Sequence, residues 1–138
     1  MLRVTANIFR DRLENDSVCL SISTIYKSLL SVLTGSIRVN TFLLEIGGLH
    51  NIFQALLQHI RNRAICENFI FIAESVATLL NAVQSITYSE FIDMGLGVVN
   101  KVMEEHKVSR RISKSCVSIL KSLTADKGIQ TIVALSFL

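Results

Sequence analysis

The apolar residues of this chain fall into stripes at helical spacing. Leu49, Ile52, Phe53 and Leu56 lie at 0, 3, 4 and 7, and Ile65, Phe69, Ile72, Val76 and Leu80 follow at steps of three and four. Each set lines one face of a helix. Alternation at the strand period does not persist for any useful length. The stripes also recur at an offset of 47 residues. Asn15, Asn62 and Ser109 stand at that offset from one another, and all three are residue types that cap helix N-termini. After each cap the apolar set keeps register: Val18, Ile65 and Ile112 coincide, as do Ile22, Phe69 and Cys116, then Ile25, Ile72 and Ile119, then Leu29, Val76 and Leu123. Ser28, Ser75 and Ser122 share the offset, and so do His59 with His106 and Gly48-Leu49 with Gly95-Leu96.

The repeating unit reads as a short helix at about Thr41–Ile46, a tight turn at Gly47-Gly48, a middle helix at about Leu49–Ile60 and a turn capped by Asn62. A long third helix then runs from about Arg63 to Val83. Thr87-x-x-Glu90 has the form of a capping box and predicts a short helix through Phe91 and Ile92. The predicted division is a single domain, 1–138, holding a partial repeat at 1–35, repeats at 36–83 and 84–126, and a partial repeat at 127–138. The start matches a middle helix, since Leu2, Ala6 and Phe9 correspond to Leu49, Phe53 and Leu56. Stacked repeats are capped by polar faces at their ends, and neither end here is polar. The expectation is therefore a piece of a longer array, or a chain that pairs end to end.

Composition agrees with this pattern. The chain has 138 residues, half of them hydrophobic, with no Pro, no Trp and only six Gly. That is too little punctuation for a strand-rich domain, so the fold class is all-α. Three helices per unit at this period imply a stack in which each long helix packs on its neighbours. The net charge of +3 permits an acidic partner without requiring one. Cys19, Cys66 and Cys116 form no CxxC pair and sit in apolar runs, as buried thiols of a reducing compartment do. Charges appear too early for a signal peptide, and the most apolar stretch, Phe69–Val83, is too short for a membrane span and carries Glu74. A cytoplasmic or nuclear protein with no membrane span is expected.

The segment Glu45-Ile46-Gly47-Gly48-Leu49, its amphipathic helix and the long apolar helix after it resemble armadillo repeats. The resemblance covers nearly the whole chain and implies a right-handed superhelix of three-helix repeats. Gly47-Gly48, Gln58-His59 and Cys66-Glu67 are also similar to a repeat of the family of armadillo repeat-containing protein 6. The second copy keeps Gly95 and His106 but has Ser113-Lys114 in place of Cys-Glu. Armadillo arrays that hold nuclear-localisation peptides carry Trp and Asn on the third helix. The matching positions here are Thr24, Phe71 and Ser118 for the Trp, and Ser28, Ser75 and Ser122 for the Asn. That ladder is absent, so cargo binding by that grip is not expected.

Signs of enzyme chemistry are few. The sequence has no phosphate-loop, GxSxG or HExxH motif, and Cys66 and Cys116 lack a sequence-local His. Gly95-Leu96-Gly97 reads as a helix start. His59 and His106 lack ligands at metal spacing. They are expected to meet the terminal carbonyls of their own helices, with His50 on a solvated face. No catalytic residue, metal or cofactor is predicted. The sharpest charged feature is a basic edge of Arg61, Arg63, Lys107, Arg110 and Arg111, continued by Lys114 and Lys121 on one helix face. A solvated face is the simplest account of it, and it also suits an acidic peptide. Glu104 and Glu105 blunt the field, and no aromatic interleaves the basic residues to stack bases, so nucleic acid fits poorly.

These readings converge on a non-enzymatic scaffold or adaptor. An extended peptide or a helix would lie on the concave face of the third helices, against Lys27, Glu67, Glu74, Ser75, Asn81, Lys114, Ser118, Lys121 and Ser122. The alternatives are an assembly module that docks or self-associates through its apolar ends, and weak nucleic-acid binding through the basic edge.

Overall fold

A computed structural model describes residues 2–32, 36–80 and 90–123. The described residues are helical throughout, without a strand. In chain order they form α1 (Leu2–Asp11), α2 (Asp16–Val32), α3 (Ser36–Ile46), α4 (His50–Gln58), α5 (Arg63–Leu80), a single π-turn (Phe91–Gly95), α6 (Leu96–Glu105) and α7 (Arg110–Leu123). The long helices α2, α5 and α7 pack side by side in that order, and α4 packs on α6. The first helix, α1, lies against α2 and α3.

The 47-residue register is visible in the caps. Asn15 Oδ1 accepts the Val18 N–H at 3.0 Å, Asn62 Oδ1 accepts that of Ile65 at 3.2 Å, and Ser109 Oγ accepts that of Ile112 at 3.3 Å. Each satisfies one orphan donor in the first turn of a long helix. Behind the caps, Ile22, Phe69 and Cys116 are all buried, as are Ile65, Ile72, Ile112 and Ile119. Val18 and Ile25 of α2 depart from this pattern. Val18 is half-buried, and Ile25 is 42% exposed where Ile72 and Ile119 are fully covered. At these positions α5 and α7 are covered by the preceding long helix, and none among the described residues precedes α2. The aromatic core joins the units: Phe9 stacks on Phe69 at 5.3 Å between centroids, and Tyr26 meets Phe9 and Phe42 edge-on at 6.2 and 5.5 Å.

Two element boundaries differ from the expectation. Helix α3 begins at Ser36, about a turn earlier than Thr41, because its buried stripe of Val39, Phe42, Leu43 and Ile46 starts earlier. It ends in a Schellman turn, in which the Gly48 N–H reaches Leu43 O at 2.9 Å and the Gly47 N–H reaches Leu44 O at 3.3 Å. Both glycines have positive φ, +79° and +88°, and the turn requires it at Gly47. The equivalent Gly95 does not make such a turn. Its φ is −61°, and the π-turn runs directly into α6. Gly95 is needed for closeness instead, since a Cβ there would sit 2.7 Å from Phe53 Cζ and 2.9 Å from Phe91 Cδ1. Helix α5 is described through Leu80; Val83, Asn81 and Thr87 lie outside the described residues, as does the partial repeat 127–138.

Candidate binding face

Each long helix turns one stripe outward, and the stripes share the 47-residue register. Ser17, Leu20, Thr24, Lys27 and Ser28 on α2 correspond to Ala64, Glu67, Phe71, Glu74 and Ser75 on α5. These correspond in turn to Arg111, Lys114, Ser118, Lys121 and Ser122 on α7. All are exposed or half-buried, while the residues between them are largely core. Contacts across the helices join the stripes into one surface. The Lys27 ammonium lies over the Phe71 ring, 5.2 Å from its centroid. Asn68 Nδ2 donates to Ser23 Oγ at 3.0 Å and Thr24 Oγ1 at 3.4 Å. Between α5 and α7, Glu67 faces Arg111 at 3.9 Å and Glu74 accepts the Ser115 hydroxyl at 3.3 Å.

The structure therefore brings together Lys27, Glu67, Glu74, Ser75, Lys114, Ser118, Lys121 and Ser122 across adjacent helices. Asn81 is the one predicted groove residue outside the described set. The basic edge is exposed in full: Arg61 in the turn before α5, Arg63 at its start, Lys107 in the turn before α7, and Arg110 and Arg111 at the start of α7. It is not purely basic, because Glu67 takes Arg63 at 3.0 Å as well as Arg111. Pairs this exposed hold weakly and can be exchanged for a ligand's charges.

The histidines depart from the expectation of an own-helix contact. Both are buried and both cross to the preceding unit. His59 Nε2 meets Leu13 O at 2.7 Å, and His106 Nε2 meets Ile60 O at 2.6 Å. A carbonyl only accepts, so Nε2 carries the proton in both rings. On its other side His59 Nδ1 meets Asp16 Oδ1 at 2.8 Å; the position equivalent to Asp16 in the next unit is Arg63. The same carbonyls also take thiols, with Cys19 Sγ 3.3 Å from Leu13 O and Cys66 Sγ 3.5 Å from Ile60 O. Cys19 and Cys66 are 47 residues apart, a signal in the sequence that would have revealed this turn motif. His50 is exposed, at the start of α4.

Glu90 has a partner that local spacing does not give: its carboxylate reaches across 41 residues to accept the Leu49 N–H at 2.6 Å. It thereby caps α4. Burial pushes its pKa up from 4.5, while hydrogen bonds from the Leu49 and His50 N–H groups and the nearby His50 ring pull it back. Burial also raises the thiols, Cys19 to about 11 and Cys66 and Cys116 to about 12. That is the reverse of what a cysteine nucleophile needs. Among the described residues no group of three metal-ligating side chains gathers, and no helix is long and apolar enough to cross a membrane. An open cleft of about 490 Å³ lies between α1 and the start of α2, lined by Val4, Asn7, Ile8, Asp11, Arg12 and Val18.

No protein-family model, curated protein or solved structure matches this chain.

Proposed function

We propose that this chain is a non-enzymatic protein–protein interaction scaffold of armadillo-like three-helix repeats, wound as a right-handed superhelix. Its ligand is an extended peptide or a helix laid across α2, α5 and α7. The observation that carries this reading is the joining of the three outward stripes by the Lys27–Phe71 and Glu67–Arg111 contacts. One polar surface with a half-buried aromatic near its centre results, and aromatic anchors ringed by polar groups dominate the energetics of many interfaces. Buried, high-pKa thiols also fit a binding protein of the cytoplasm or nucleus, where cysteines stay reduced.

The test is a pull-down from nuclease-treated lysate, comparing the chain with Lys114→Glu plus Lys121→Glu. Both positions are exposed, so the variant keeps the core. The scaffold reading expects a protein partner held by the first bait and lost by the second. The same partners on both baits, or recovery of the chain alone, would contradict it. The second result would favour assembly through the apolar surface at Ile8 and Ile25.

A further inference from the structure

Charge along the joined stripes is not uniform. Glu67 and Glu74 stand seven residues apart on α5, and the residues 47 further on are Lys114 and Lys121 on α7. One step along the stack therefore inverts the sign at both positions. The contacts give the stagger between the helices. Arg111–Glu67, Phe71–Lys27 and Asn68–Thr24 join residues 44 apart, Asn68–Ser23 45 apart and Ser115–Glu74 41 apart, all short of the 47-residue offset. A line across the face at the level of Phe71 meets Lys27 on α2 and reaches α7 at about residues 112–115, the stretch that holds Lys114. Phe71 itself lies between Glu67 and Glu74, one turn to either side on its own helix. The surface has an acidic band on α5 and a basic band on α7, with a ring in the middle of the acidic one.

We infer that this face selects a ligand that carries both charges at a set spacing. The inference rests on the scaffold reading above and names the partner's chemistry. The ligand is an extended segment of mixed charge, with a basic residue over Glu67 and Glu74 and an acidic residue over Lys114 and Arg111. Packed helix axes lie about 8–10 Å apart. An extended chain rises about 3.3 Å per residue, so the two charges fall about three residues apart. A wholly acidic segment is disfavoured, because part of it would lie against the two glutamates.

Selection from a random displayed-peptide library tests this. The wild-type chain is compared with Glu67→Lys plus Glu74→Lys, which makes both bands basic, with circular dichroism and a thermal melt confirming that each bait folds. Wild type is expected to enrich peptides with opposite charges two to four residues apart about tenfold over wholly acidic ones. Tenfold is about 1.4 kcal/mol, within the reach of two rim ion pairs. The variant is expected to shift the enrichment to wholly acidic peptides. Should it fail to fold, Lys114→Glu plus Lys121→Glu, confined to exposed positions, is expected to remove the acidic member of the pair. Peptides without paired opposite charges, or the same charges selected by both baits, overturn the inference. If those peptides still lose binding to Phe71→Ala, the scaffold reading survives. Selected peptides indifferent to Phe71→Ala, or no specific binders at all, overturn both.

Discussion

Gly48 carries two constraints at once. Its φ of +88° belongs to the left-handed region, and a Cβ there would lie 2.9 Å from both Glu90 carboxylate oxygens. Gly47, at +79°, has only the first constraint, with open space around it. Gly47→Ala should cost about 1–2 kcal/mol of stability. Gly48→Ala should cost more, because the Glu90 carboxylate must also leave the N-terminus of α4, and urea unfolding of the two variants distinguishes them. Glu90 itself predicts a pH dependence. Its folded-state pKa is raised above 4.5, so the native state holds its proton more tightly than the unfolded chain. The stability it contributes is present at acid pH and is lost as pH rises from the ordinary carboxylate range through the raised value. Relative to Glu90→Gln, wild type should lose stability over that rise; a difference constant between pH 4 and 8 would contradict this.

At the scale of elements, the helices were legible because their signals are local. Caps at Asn15, Asn62 and Ser109 and stripes at steps of three and four depend only on nearby residues, and the structure shows both. The readings that missed depend on distant partners. Nothing near Gly95 announces the Phe53 ring that excludes a side chain there. Nothing near Glu90 announces the Leu49 N–H that its carboxylate accepts, 41 residues earlier. The histidines were recognised as equivalent, but the carbonyls they meet belong to the preceding unit. His106→Ala should therefore loosen the α4–α6 side of the stack. Ile60 O keeps the Cys66 thiol, so losing its short hydrogen bond should cost about 0.5–1.5 kcal/mol. Native-state hydrogen exchange should show the loss first in the turn at 59–62 and in α6, and not in α1.

For the molecule as a whole, eight of the nine groove positions fall on the described outward stripes, because those stripes repeat in the sequence. The sign inversion from Glu67 and Glu74 to Lys114 and Lys121 was legible in the same register. The Glu67–Arg111 contact was not, because it depends on which helices are neighbours. The central claim is that ligands bind across α2, α5 and α7, and site-specific photo-crosslinking in lysate tests it most directly. A photoreactive residue at Ser75 or Ser118 lies on the face, and one at Leu44, 66% exposed on α3, serves as the comparison. The account predicts a protein adduct from positions 75 and 118 and none from position 44. Adducts from position 44 alone, or equally from all three, would contradict it.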